Sequence, residues 1–77
     1  MRFEVIANWT PLEQKLPPEL CAEFMWMSGE HEIEHYKHIV TRRYLRLDHA
    51  GRCLAWRGGG FEEVPFEQEW RRVIGRS

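Results

Sequence analysis

Two turn signals divide the second half of the chain into short segments of alternating polarity. Asp48-His49-Ala50-Gly51 suits a type I turn closed by a left-handed glycine, and Gly58-Gly59-Gly60 suits a second turn. Apolar and polar residues that alternate on both sides of a turn are typical of a β-hairpin. The pattern therefore predicts a three-stranded antiparallel meander over about residues 40–48, 52–56 and 61–64. In this register Arg46 lies opposite Leu54.

Helices are predicted on either side of the meander. Thr10 and Pro11 begin a short helix that Pro17-Pro18 ends, and Pro18 opens a second one that runs to Met27. Pro65 begins a last helix, and residues 2–7 form a short strand. Residues 31–38 fit either a helical turn or an extension of a strand. The predicted fold is one small α+β domain over residues 1–77, with N-terminal and C-terminal helices packed on one side of the meander.

The chain is short, and its aromatic residues are large. A 77-residue domain buries a thin core, which four Trp, four Phe and two Tyr would help to fill. The two cysteines, Cys21 and Cys53, form no CxxC pair, and we expect reduced thiols in the core. Apolar runs do not exceed about four residues, so neither a transmembrane span nor an export signal is expected. These features predict a cytoplasmic protein that does not enter a membrane.

Charge is balanced overall but unevenly distributed. The net charge is −1, which gives no global field for binding nucleic acid or a membrane surface. Residues 1–38 carry three basic and seven acidic side chains, whereas residues 39–77 carry eight arginines and five acidic side chains. The two halves either face each other within one fold or pair acidic with basic surfaces between two copies of the chain.

Arginines and aromatic residues interleave on the outer face of the predicted hairpin. Arginine at the rim and aromatics at the centre are typical of a protein interface. The predicted interface residues are Trp26, Arg42, Tyr44, Arg46, Leu54 and Trp56. The same interleaving also suits phosphate contact and base stacking. The alternative is therefore a nucleic-acid-binding module that uses Arg42, Arg43, Arg46, Arg52 and Arg57.

The string His31-Glu32-Ile33-Glu34-His35 matches the HExxH signature of zinc proteases. On a helix, its two histidines would chelate zinc while Glu32 acts as general base, and His38 would lie on the same face. As a strand, the segment would place His38 on the opposite face from His35. The charged residues Glu34 and Lys37 and the short chain favour a charge-rich surface segment whose match to the signature is accidental. A metal-binding protein or zinc hydrolase, with metal at His31, His35 and His38 and zinc as cofactor, is the second alternative.

No complete catalytic set is apparent in the sequence. Ser28 and Ser77 are the only serines, and the glycine triplet lacks the trailing Gly-Lys-Ser/Thr of a phosphate-binding loop. The leading hypothesis is a non-enzymatic protein without a cofactor, which binds another protein and first of all a second copy of itself.

Overall fold

A five-stranded antiparallel sheet forms the centre of the structure, a computed structural model that describes residues 6–75. The strands follow one another across the sheet in chain order, and three helices accompany them. The elements are α1 (Thr10–Glu13), α2 (Pro18–Cys21), β1 (Phe24–Glu30), β2 (Ile33–His38), β3 (Tyr44–Asp48), β4 (Cys53–Arg57), β5 (Gly60–Glu63) and α3 (Phe66–Ile74). The α+β class is confirmed, but the prediction of three strands is wrong, because β1 and β2 extend the meander to five.

The added hairpin replaces part of a predicted helix. It also shows which of the two structures predicted for residues 31–38 is formed. The helix expected from Pro18 to Met27 ends at Cys21, and β1 begins at Phe24. Residues 33–38 are a strand, and His31 and Glu32 form the connecting turn with φ of 53° and 64°. Positive φ at both central residues is typical of the tight turns that join antiparallel strands. The apolar residues around Phe24 fit helical spacing, but pairing with β2 satisfies the backbone of this segment instead.

The predicted register of the central hairpin is confirmed. Arg46 pairs with Leu54, and Gly51 closes the turn with φ of 90°. The first strand of this hairpin is shorter than the predicted 40–48, since β3 begins at Tyr44. Residues 39–43 instead form a connection in which the backbone N–H groups of residues 40 and 41 donate to Nδ1 of His38. The His38 ring thus accepts two backbone N–H groups that strand pairing would have satisfied if β3 had begun at residue 40.

The core lies between one face of the sheet and the described helices. Tyr36, Leu45 and Leu47 are fully buried there, and Leu12 of α1 and Val73 of α3 cover them. The connection before β3 holds the end of α3, because Thr41 Oγ1 donates to the carbonyl of Val73 at 2.5 Å. The C-terminal helix predicted after Pro65 is confirmed, because α3 begins at Phe66.

Two further findings concern the ends of the chain and membrane insertion. Of the first strand predicted over residues 2–7, Ile6 and Ala7 lie outside any strand, and residues 2–5 lie outside the described residues. Within residues 6–75, no helix has the length and apolar character needed to cross a membrane.

Candidate interaction surface

The sheet has one face that the described helices leave uncovered, which we call the open face. Side chains alternate along a strand, and Leu45 and Leu47 point into the core, so their neighbours Tyr44 and Arg46 point the other way. The strand pairing extends this face across the sheet. Its residues are Met25, Ser28, Glu30, Ile33, His35, Lys37, Tyr44, Arg46, Asp48, Leu54, Trp56, Phe61 and Glu63.

An aromatic cluster occupies one end of the open face. The rings of Trp56 and Phe61 meet edge to face with centroids 4.9 Å apart, and 57% and 41% of these residues are exposed. The Arg46 guanidinium lies 5.0 Å from the Tyr44 ring centroid and 5.7 Å from that of Phe61. Leu54 lies on the same face yet is buried. These contacts order a patch of large side chains that is still accessible to solvent.

His35 lies beside this cluster and is 7% exposed. Its Nδ1 accepts a hydrogen bond from Nε of Arg46 at 3.0 Å. Burial and the Arg46 charge lower the pKa of His35, and Glu30 only partly opposes them. Among the described residues, His35 Nε2 has no hydrogen-bond partner, and Glu30 Oε1 lies 3.9 Å away.

The open face carries two basic side chains, Lys37 and Arg46, and three acidic ones, Glu30, Asp48 and Glu63. Arg52 of the adjoining turn adds a third basic group, which makes the numbers equal. Arg52 extends from the turn, and its Nε donates to Asp48 Oδ2 at 2.7 Å. Burial raises the pKa of Asp48, but hydrogen bonds from the backbone and side chain of Arg52 outweigh it, and the net pKa is lowered. The face therefore carries no excess of positive charge.

The structure brings together four of the six predicted interface residues. Tyr44, Arg46, Leu54 and Trp56 share the open face. Trp26 lies on the opposite face of the sheet, since it pairs with the core residue Tyr36. Arg42 lies in the β2–β3 connection with φ of 66°. Sequence reasoning missed Phe61. Counting outward along both strands from the glycine turn would have paired Phe61 with Trp56.

The five arginines of the nucleic-acid hypothesis do not form one surface. Arg43 Nη1 donates to the carbonyl of Arg72 in α3. Arg57 points away from the open face and lies 3.9 Å from Glu62, while Arg52 is engaged with Asp48. Of the five, Arg46 alone contacts the aromatic cluster within the described part of the chain.

The histidines of the HExxH string are dispersed because the string is not helical. His31 lies in the β1–β2 turn, His35 on the open face and His38 on the core face. His38 Nδ1 accepts two backbone N–H groups, so its Nε2 donates to Glu23 Oε1 at 3.0 Å. Residues 6–75 contain no group of three or more His, Cys, Asp or Glu side chains placed to hold a metal ion. The chelating geometry that a helical HExxH motif provides is not formed.

A buried carboxylate, which sequence reasoning did not single out, joins β1 to the turn between β3 and β4. Glu34 is 5% exposed, and its two oxygens lie 2.7 Å from Nε1 of Trp26 and 2.7 Å from Nε2 of His49. Burial raises the pKa of Glu34, but these hydrogen bonds outweigh it, so the net pKa is lowered and the group is ionised at neutral pH. Nearby, the Tyr36 hydroxyl donates to the Asn8 carbonyl at 2.6 Å.

Neither cysteine is placed for nucleophilic chemistry. Cys21 and Cys53 are free thiols buried in the core cluster. Burial raises the pKa of Cys53 to about 12 and also raises that of Cys21. A thiol with a raised pKa carries little thiolate at neutral pH, and the thiolate is the reactive form.

Comparisons with known proteins give no further assignment. No family model matches the chain, and no curated protein or solved structure matches it. The open face is therefore assessed on its own geometry.

Proposed function

We propose that the protein binds another protein through the open face, and that its first partner is a second copy of the same chain. The aromatic cluster carries this proposal. The solvent side of an antiparallel sheet is ordinarily polar, whereas here Trp56 and Phe61 lie exposed on it beside Tyr44. Contiguous exposed apolar residues mark interaction sites, and Trp, Tyr and Arg are the residues that most often dominate binding energy.

Balanced charge favours a second copy as the partner. A two-fold axis brings a surface against itself, so a face with an excess of one sign would repel its counterpart. The open face, together with Arg52 of the adjoining turn, has three side chains of each sign. Binding of nucleic acid gains mainly from an excess of basic groups, which this face lacks.

The size of the sheet sets the expected strength of association. Five strands about 4.8 Å apart span about 19 Å, and five-residue strands are about 17 Å long. The resulting footprint is about 320 Å² on each copy, which is smaller than the about 800 Å² per partner of a standard specific interface and belongs with weak, transient contacts. We therefore expect a reversible dimer with a dissociation constant in the micromolar range.

The test is sedimentation velocity of wild type and variants from about 1 μM to about 300 μM, which brackets such a dissociation constant. Trp56→Ala removes the most exposed ring of the cluster and is expected to weaken dimerisation at least about tenfold. Val40→Ala is the matched control, because Val40 is exposed and apolar but lies in the β2–β3 connection. Equal dimerisation of wild type and Trp56→Ala would refute the role of this face.

A second candidate function is binding of single-stranded nucleic acid by the same cluster. The exposed Trp56 ring, with Arg46 and Lys37 placed over Tyr44, offers a stacking surface next to two cations. Titration of an oligonucleotide against Trp fluorescence distinguishes the two, since binding to nucleic acid weakens steeply as salt rises. A response that is flat from about 50 mM to about 200 mM salt would reject this candidate.

The setting that we propose is the cytoplasm, without a cofactor or enzymatic activity. Support comes from the two buried free thiols, Cys21 and Cys53, because thiols stay reduced in that compartment.

A further inference from the structure

His35 has a defined tautomer because of its neighbour. The Nε of arginine carries one hydrogen and can only donate, so His35 Nδ1 must accept in the 3.0 Å contact with Arg46. Neutral His35 therefore carries its proton on Nε2. This N–H is a buried donor with no acceptor among the described residues. Buried donors are ordinarily satisfied, so an unpaired one indicates a contact still to be made.

The register shows what a second copy would place opposite this donor. His35, Arg46, Leu54 and Glu63 are successive cross-strand neighbours in one row of the open face. The centre of this row lies between Arg46 and Leu54. Two such sheets can stack with their open faces together, related by a two-fold axis that runs parallel to the strands over this centre. The axis then brings the first residue of the row in one copy against the last residue of the same row in the other copy.

We propose that His35 Nε2 donates a hydrogen bond to the carboxylate of Glu63 in a second copy of the chain, and that two such bonds fix the register of the dimer. The inference rests on the proposed function. The same axis places Tyr44 against Trp56 of the other copy, because these two residues hold the equivalent inner positions in the next row. The side of the open face that carries Arg46 and Tyr44 thus meets the side of the other copy that carries Glu63 and Trp56.

Two side chains, Phe61 and Glu30, lie beside His35 Nε2 and must move to give a second copy access to it. The Phe61 ring lies 6.0 Å from the His35 ring, and it belongs to the four-residue edge strand β5. Glu30, the other neighbour of Nε2, has a side chain that is 67% exposed. Both side chains are exposed to solvent, and rotamer changes of exposed side chains are common when interfaces form.

The experiment is a double-mutant cycle on dimerisation, measured by sedimentation velocity. His35→Asn keeps an oxygen near the position of Nδ1 for Arg46 but has no donor at the position of Nε2. Glu63→Gln removes the charge of the acceptor and is expected to leave the monomer folded, because Glu63 is exposed. Each variant is expected to weaken dimerisation about 10-fold to 100-fold. The double variant is expected to lose no more than the more damaging of the two single variants, because both changes remove the same contact. Glu62→Gln is the control, since Glu62 lies next to Glu63 but on the other face of the sheet.

The outcomes separate this inference from the proposed function. Dimerisation of Glu63→Gln at wild-type strength, or additive effects in the cycle, would overturn the pairing of His35 with Glu63 even if Trp56→Ala still weakens the dimer. A wild-type chain that stays monomeric would overturn the proposed function and this inference together. Urea denaturation of each variant at a concentration where it is monomeric checks that the losses do not come from unfolding.

Discussion

Replacement of Glu34 by alanine tests how the buried carboxylate stabilises the fold. Its oxygens lie 2.7 Å from Trp26 Nε1 and 2.7 Å from His49 Nε2. A hydrogen bond to a charged group contributes about 1.5–3 kcal/mol. The indole N–H of half-buried Trp26 would lose its acceptor, whereas the His49 side chain is 45% exposed and can turn to water. We therefore expect Glu34→Ala to lower the free energy of unfolding by about 2–4 kcal/mol.

The assay is equilibrium unfolding in urea followed by circular dichroism, with linear extrapolation to water. Trp26→Phe removes one of the two donors and is expected to cost about 1–2 kcal/mol. Glu62→Ala is the control, because Glu62 is exposed and its contact with Arg57 is 3.9 Å long, so its effect should be below about 0.5 kcal/mol. A loss below about 0.5 kcal/mol in Glu34→Ala would refute the reasoning, since it would mean that the carboxylate contributes no more than a surface acid.

Three further perturbations follow from the structure. Gly29→Ala places a Cβ against the Glu34 carboxylate, and we expect a lower melting temperature and a loss of about 1–3 kcal/mol; unchanged melting would contradict the close approach. The lowered pKa values of Glu34 and Asp48 give stability that is fully present above their ordinary carboxylate pKa values and is lost as pH falls toward the lowered ones. Thermal melting from pH 7 to pH 3 measures this loss, which Asp48→Asn should reduce. Thr41→Val removes the hydrogen bond to the Val73 carbonyl, and amides at the end of α3 should exchange faster, with a cost of about 1 kcal/mol.

The central hairpin could be predicted because its signals are local. Asp48 accepts hydrogen bonds from the backbone N–H groups of residues 50 and 52, and Gly51 takes the positive φ of the turn. Asp48 and Gly51 specify the turn without help from the rest of the chain, and the turn then fixes the pairing of Arg46 with Leu54. The same logic placed Tyr44, Leu54 and Trp56 on one face.

The first hairpin could not be predicted because its determinants are distant. The apolar spacing around Phe24 suits a helix as well as a strand, and the choice is made by pairing with β2. The sequence predicts Trp26 on the interaction surface, but its indole N–H donates to Glu34, eight residues along the chain. The placement of the His35 ring likewise depends on Arg46 and Phe61, which belong to different strands. Sequence periodicity carries no information about such contacts.

The claim that the open face joins two copies is tested most directly by backbone NMR spectra recorded over a dilution series. We expect amide signals of residues on and around the open face in β3, β4 and β5 to shift together with concentration and to fit one dimerisation constant. Signals of α1 and α3, which cover the opposite face, should stay in place. Spectra that do not change with concentration, or shifts confined to the helices, would contradict the account.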